Sequence, residues 1–269
     1  MKLNVLRADP AGNITLFVLD PVERPRRAAL AAALMRLLPE WGIEQVGFAC
    51  PPAPGTDGRM EMMGGEFCGN ATRAYAMYLS RRLGGAREIR LSVSGCGHAV
   101  TARVDPERGT AYAEMPVPRG VRRVEAGGLR GTLVDLGGIV HFVTSAAEPG
   151  EAVFHAVEPI FSAAGDADAY GVIFLDRDSH RMTPLVKVVQ TGTLVWEGSC
   201  GSGSVACAAA ESEGVRDGVY AQDYIQPSGV VSASVTRRDG RIIAAEIGGA
   251  VSLGEPAEID LPDGAAEAF

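Results

Sequence analysis

Lysine is nearly absent from this 269-residue chain, which holds only Lys2 and Lys187. A pyridoxal-phosphate enzyme needs a Schiff-base lysine, and neither of these sits in a Gly/Ser-rich phosphate-binding context. The run Gly201-Ser202-Gly203-Ser204 lacks the Lys-Ser/Thr pair of a P-loop. No cofactor is therefore expected. There is no basic run and the net charge is −8, which argues against a nucleic-acid partner. The longest apolar stretch, Ala28 to Leu38, is broken by Arg36 and is far too short for a membrane span. The opening MKLNVLRADPAGN lacks the charged start and apolar run of a secretory signal, so the expected location is the cytoplasm. No C-x-x-C and no paired Cys/His spacing occurs, so no metal site is expected. Five cysteines (Cys50, Cys68, Cys96, Cys200 and Cys207) are an odd number in a large chain, which disfavours a disulfide framework.

What is present is an ordinary globular balance, 46% hydrophobic and 22% charged, in a chain long enough for one large domain or two smaller ones. The chain carries an internal duplication. Gly65–Thr72, with Cys68 at its centre, opens an alanine-rich helical run to Arg82; Glu197–Ser204, with Cys200, opens another to Glu213. Downstream, Ser94-Gly95 and Ser228-Gly229 each begin an alternating stretch. The offset is 132 residues between the cysteines and 134 between the Ser-Gly pairs. Helices are expected over 25–38, 69–83, 150–163 and 201–214. Strands are expected over 2–6, 15–19, 45–49, 59–63, 88–93, 131–136, 141–144, 171–175, 185–189 and 193–196. Many short strands with one central helix in each half make this an α+β chain. The Pro-, Arg- and Gly-rich stretch 116–127 is the candidate domain boundary.

Each Cys-Gly turn precedes a helix. Unpaired N–H groups and the helix dipole make such a place electropositive. A thiol there is expected to have a lowered pKa, and the same N–H groups can hold a carboxylate. Gly69 and Gly201 allow a ligand close to the backbone. Two such turns suit inversion of a stereocentre, with a substrate carboxylate between the N–H groups of Gly69 and Asn70 and those of Gly201 and Ser202. One thiolate removes the α-proton while a thiol delivers another to the opposite face. The alternative is that either cysteine is a small buried hydrophobe.

The chain resembles the diaminopimelate epimerase superfamily at Gly12-Asn13-Ile14-Thr15, at FCGNATR over Phe67–Arg73 and at WEGSCGSGS over Trp196–Ser204. The resemblance implies a diaminopimelate epimerase-like α+β fold. It has two pseudo-symmetric domains, each a mostly antiparallel sheet or barrel around a central helix, with the active site in the cleft between them. The implied limits are 1–118 and 119–258, with a tail at 259–269. It also implies racemisation of an amino acid by Cys68 and Cys200, with Asn13 and Asn70 in the substrate site and Glu197 as partner of the α-amino group. The distal-carboxylate residues of true diaminopimelate epimerases are missing. Met62–Gly65 replaces an asparagine-bearing segment, and Gly198 follows Glu197 where the family has arginine.

The chain is more similar to the histidine racemases of opine-metallophore (staphylopine-type) pathways, at Pro10–Thr15, Glu44–Phe48, Glu66–Thr72, Val93–Cys96 and Trp196–Gly203. That resemblance makes histidine the leading substrate and Glu44 the candidate to bind its imidazole. Open alternatives are diaminopimelate epimerase, a racemase of broader range, a proline-racemase-like isomerase and an amino-acid-binding protein without catalysis. A homodimer is also left open. Structural roles are expected for Cys96 and Cys207 inside a strand and a helix, for Cys50 in a loop or at a strand end, for Arg73 as an internal ion pair, and for His141 in the core. His98, His155 and His180 are expected on the surface.

Overall fold

In a computed structural model, residues 2–163, 165–190 and 192–262 are described. They form two compact units, one of residues 2–113 with 248–262, the other of Glu114–Ile247.

In the first unit the chain runs β1 (Lys2–Asp9), β2 (Thr15–Val18), α1 (Arg24–Leu37), β3 (Gln45–Cys50), β4 (Gly58–Met62), α2 (Gly69–Arg82), β5 (Glu88–Val93), β6 (Val100–Asp105) and β7 (Thr110–Met115). Successive pairings are β1–β2 antiparallel, β2–β3 parallel, β3–β4 antiparallel, β4–β5 parallel, then β5–β6 and β6–β7 antiparallel. Helices fill the two parallel crossovers, as that connection requires. Helix α1 has Pro25 in its first turn, where the missing N–H costs nothing. Leu30, Ala31 and Leu34 bury one face against Leu3, Leu16, Val46 and Phe48. Burying each leucine contributes about 2 kcal/mol before entropy. Helix α2 is buried from Gly69 through Ser80. Ala71, Ala74 and Ala76 keep it thin enough to sit in the core with Phe17, Met60, Leu91 and Val104.

The second unit continues with β8 (Gly120–Ala126), β9 (Leu129–Asp135), β10 (Ile139–Thr144), α3 (Glu151–Ser162), β11 (Ala169–Asp176), β12 (Arg181–Val188), β13 (Thr193–Trp196), α4 (Gly201–Glu211), β14 (Gly218–Gln226), β15 (Gly229–Arg238) and β16 (Arg241–Ala250). From β9 the order of pairing senses is antiparallel to β10, parallel to β11, antiparallel to β12, then parallel from β12 to β14 across α4, and antiparallel to β15. Phe154, Val157 and Phe161 form the apolar stripe of α3 over Leu133, Phe142 and Val172. Helix α4 is buried from Gly203 to Ala210. The chain then returns to the first unit as β17 (Ser252–Leu253) and β18 (Ala257–Asp260), both antiparallel to β1.

The α+β class stands, but the expected limits need correction. The division falls inside β7, between Ala113 and Glu114, rather than at 118. Residues 116–127 are no linker: β8 pairs along its length with β9, and Val124 and Ala126 pack on the core of the second unit. The chain from Gly248 belongs to the first unit, because β17 and β18 supply hydrogen-bond partners to β1. Of the expected tail 259–269, residues 259 and 260 are strand, and 263–269 lie outside the described residues. Cys96 sits in the turn after β5 rather than in a strand, while Cys50 ends β3 and Cys207 is buried in α4.

Candidate active site

Cys68 is the N-cap of α2, with extended backbone angles of φ −128° and ψ 110°. Its sulfur accepts from the N–H of Ala71 at 3.4 Å, doing the work of a capping oxygen. Parallel pairing of Thr15 with Gln45 brings those two side chains onto one face. The Gln45 amide nitrogen donates to Asn13 Oδ1 (2.7 Å), Thr15 Oγ1 (2.8 Å) and Cys68 Sγ (3.4 Å). Asn13 Oδ1 lies 3.9 Å from the sulfur, and its amide nitrogen donates to Glu44 Oε2 at 2.8 Å. Glu44, Asn13, Gln45 and Cys68 thus form one connected cluster. Asn70 is buried, and its carbonyl oxygen accepts from Arg73 Nε at 3.2 Å. Among the described residues Arg73 has no ion-pair partner. It is fully buried and spans Pro10 O (2.9 Å) and Ala250 O (2.8 Å), which ties α2 to the chain leading into Asn13. Burial lowers its pKa to about 10, so it stays cationic at neutral pH.

Cys200 caps α4 in the same way, with φ −120° and ψ 105° and a 3.4 Å bond from Gly203 N–H to the sulfur. A Cβ on Gly203 would lie 2.9 Å from Ile173 and 3.2 Å from the sulfur, so glycine is needed there. Ser202 Oγ is 3.4 Å from Cys200 Sγ and 2.8 Å from His141 Nε2. Gln226 clamps the cap: its carbonyl accepts from Cys200 N–H at 2.6 Å and its amide donates to Ser204 Oγ at 2.9 Å. Glu197 follows β13, where its N–H extends the ladder to Pro184 O at 3.0 Å.

The two caps share further detail. Thr72 Oγ1 donates to Cys68 O at 2.7 Å, and Ser204 Oγ to Cys200 O at 2.9 Å, each four residues after its cysteine. The carbonyl two residues before each cysteine is held by the matching serine. Ser94 Oγ donates to Glu66 O (2.6 Å) and Ser228 N–H to Gly198 O (2.9 Å). Beside Ser94, Gly95 lies at φ +68°, with its missing Cβ 2.3 Å from Phe67 N.

The expected direction of the thiol pKa values is reversed. Burial pushes Cys68 above its ordinary range, against the Ala71 N–H and the Gln45 amide, with Glu66 adding to the rise. Cys200 is pushed well up by burial and by the Glu197 carboxylate, against the Ser202 hydroxyl and the Gly203 N–H. Helix N-termini are present at both thiols, but desolvation outweighs them. Burial also raises the Glu44 and Glu66 carboxyls, although the Asn13 amide opposes the shift at Glu44. Burial of His141 lowers its pKa to about 3, so the ring is neutral.

The predicted site residues therefore fall into two groups. Asn13, Glu44, Cys68, Gly69 and Asn70 lie in the first unit; Glu197, Cys200, Gly201 and Ser202 lie in the second. The family model for the histidine racemase CntK N-terminal domain matches residues 2–256. The chain belongs to that family. A histidine racemase of Fusobacterium nucleatum subsp. nucleatum is 29% identical over 215 residues, which is 76% of this chain and 78% of the relative. A histidine racemase of Staphylococcus aureus is 27% identical over 216 residues, covering 74% of this chain and 76% of the relative. Among solved structures, a predicted epimerase from Pseudomonas aeruginosa aligns with a TM-score of 0.68 and 17% identity, over 97% of this chain and 100% of that one. A hydroxyproline epimerase from Agrobacterium vitis aligns with a TM-score of 0.66 and 14% identity, over 100% and 95%. The structural likenesses establish the fold; with the family, they make the chain an isomerase of the racemase and epimerase class.

Among the described residues no three His, Cys, Asp or Glu side chains gather as a metal site requires, and no helix is long and apolar enough to cross a membrane. Lys187 is ion-paired to Glu158, and Lys2 to Glu258 at 2.5 Å. Sequence reasoning missed Gln45, Gln226 and the braces of Ser94 and Ser228. The last two carried a signal, since their offset matches that of the cysteines. His141 is in the core as expected, yet it reaches Ser202. His180 is less exposed than a surface role implies: its ring lies 3.7 Å from the buried Glu211 carboxylate.

Proposed function

We propose that the protein is a pyridoxal-phosphate-independent histidine racemase in which Cys68 and Cys200 are the acid/base pair. The observation that carries this reading is the twin cap: two thiols, each at a helix N-terminus, with the same backbone angles and the same N–H bond to sulfur. The repeated order of strand pairings supports a duplicated, diaminopimelate epimerase-like fold that supplies one thiol from each half. The reading requires both sulfurs to reach one α-carbon from opposite sides.

The raised thiol pKa values favour the difficult step. An α-proton is only weakly acidic, so a base must bind protons strongly to remove it. Burial makes each thiolate scarcer at neutral pH but more basic. The N–H groups of the first turns of α2 and α4 would hold the substrate carboxylate and spread the carbanion charge as the proton leaves. After the first thiolate takes the α-proton, the opposite thiol gives up its own, and the enzyme is left with the protonation states exchanged. Glu197 is assigned to the α-ammonium.

Glu44 supports histidine. It is one amide away from Cys68, and a carboxylate that accepts from Asn13 keeps lone pairs for an imidazole N–H. Glu44 and Glu66 together oppose a substrate with a distal carboxylate, which disfavours diaminopimelate. Chiral chromatography of L-histidine, LL-diaminopimelate, L-arginine and L-proline, without added cofactor, tests the assignment. D-histidine should form fastest, and Glu44→Gln should cut kcat/KM for histidine about tenfold, the worth of one lost hydrogen bond to a charged group. Faster turnover of diaminopimelate would overturn the histidine assignment.

A further inference from the structure

The loop that carries Asn13 has an uncommon backbone. After β1 ends at Asp9, Ala11 lies at φ +60° and Gly12 at φ +88°. Glycine takes that conformation freely, but an alanine there is strained, because its Cβ crowds the following carbonyl oxygen. Such a residue persists only where its surroundings over-determine it. Two groups do so here. Asp9 Oδ1 accepts from Gly12 N–H at 2.6 Å, and Arg73 Nη2 donates to Pro10 O at 2.9 Å.

Arg73 reaches that carbonyl from inside the core. It sits one turn into α2, fully buried, three residues after Asn70 and on the same face of the helix. Its Nε donates to Asn70 Oδ1 at 3.2 Å and its Nη1 to Ala250 O at 2.8 Å. A buried cation without an ion pair is costly, and an apolar side chain would fill the same space at lower cost. What the guanidinium adds is a rigid plane that reaches three carbonyl oxygens on three stretches of chain. Because it can only donate, it also sets the Asn70 amide, with the oxygen toward Arg73 and the nitrogen away from it.

We propose that Arg73 is a positioning residue that holds Asn13 and Asn70, the two substrate asparagines, in one fixed relation beside Cys68. One arm fixes the Asn70 amide. Another holds the Pro10 carbonyl, and with it the left-handed pair that delivers Asn13, whose Oδ1 lies 3.9 Å from the sulfur. The inference rests on the racemase reading for the role of the asparagines, and it adds the group that orders them.

Arg73→Gln separates the arms. A glutamine amide nitrogen falls where Nε stands, so the bond to Asn70 is kept while those to Pro10 and Ala250 are lost. In the full-length protein, hydrogen exchange over residues 9–16 should quicken about tenfold, while exchange over residues 30–37 of α1 changes less than about twofold. Racemisation kcat/KM should fall on the order of a hundredfold, the effect of a misplacement of about 1 Å. KM for histidine should rise about threefold or more; a smaller folded fraction alone would lower kcat and leave KM unchanged. The rate at which methyl methanethiosulfonate modifies Cys68, read by peptide mass spectrometry, should stay within about twofold of wild type, because the Ala71 N–H and the Gln45 amide still hold the sulfur. Ala11→Gly removes the strain that Arg73 opposes. It should raise kcat/KM about fivefold in the Arg73→Gln background and much less in the wild type.

Exchange over 9–16 at the wild-type rate overturns the proposal. So does an unchanged KM, or an Ala11→Gly substitution that recovers nothing. A Cys68 modification rate raised about tenfold would mean that α2 frays, and it overturns the proposal in favour of a purely structural role. If Arg73→Gln does not fold, Arg73→Lys decides by the same readings, since its ammonium falls near the guanidinium carbon, one bond short of each arm. Failure of the racemase reading shows elsewhere, as wild-type protein that racemises no amino acid, so the two failures are distinguishable.

Discussion

Gly95→Ala should damage the first thiol without touching it. Gly95 lies at φ +68°, where an alanine costs about 1–2 kcal/mol. Its Cβ would lie 2.3 Å from Phe67 N and 2.8 Å from Glu66 C. Both are backbone atoms, so no side chain can swing away. Relief to an ordinary contact, which begins at 3.4 Å, moves the Glu66–Phe67 backbone by about 1 Å. Cys68 is the next residue, and a displacement of about 1 Å at a reacting group costs on the order of a hundredfold in rate. The expected result is a kcat/KM about a hundredfold lower and a stability loss of about 2–4 kcal/mol. Tm should fall by roughly 5–15 °C. Gly97→Ala is the control, because a Cβ there meets nothing within 4 Å. Racemisation by chiral chromatography and melting by circular dichroism should separate the two variants. If both behave alike, the Ser94-Gly95 turn does not brace the Cys68 loop and the reasoning is refuted.

Gln45→Leu removes the amide that joins Asn13, Thr15 and Cys68, and should lower kcat about tenfold while a melt shows the protein folded; unchanged kcat would remove Gln45 from the site. Raised thiol pKa values mean that deprotonation increases with pH beyond the ordinary thiol range of about 8.5. Racemisation kcat/KM should therefore climb from pH 7 to pH 9, whereas a plateau before about pH 8.5 would show a thiolate stabilised rather than disfavoured by its surroundings. Glu211 accepts from the buried Tyr224 hydroxyl at 2.6 Å and from Tyr220 at 3.1 Å. Glu211→Ala leaves that buried hydroxyl unpaired and should cost about 1–3 kcal/mol in urea unfolding, with the Cys68 modification rate unchanged.

Local signals were legible in the sequence and remote ones were not. Helices α2 and α4 begin at Gly69 and Gly201 as the Cys-Gly-plus-alanine pattern predicts, and β5 and β13 have the expected limits. Strand β8 was hidden because Val121, Val124 and Ala126 are separated by arginines and glutamate, and a half-exposed strand with that composition reads as a linker. Strands β17 and β18 are short and take their meaning from β1, some 250 residues away. Within the candidate site, the motifs brought forward Asn13, Glu44, Cys68 and Asn70, and the structure joins the first three in one cluster. Gln45 read as an ordinary strand residue until the register with Thr15 placed its amide beside the sulfur. The direction of the thiol pKa shifts was misjudged because helix N-termini can be read from sequence, but depth of burial cannot.

The central claim is that two thiols act on opposite faces of one α-carbon. The direct measurement is histidine incubated in deuterium oxide, with α-deuterium and enantiomer content followed together for the wild type, Cys68→Ser and Cys200→Ser. The wild type should deuterate as it racemises, and each single variant should lose racemisation. Wild-type racemisation in either variant would contradict the account.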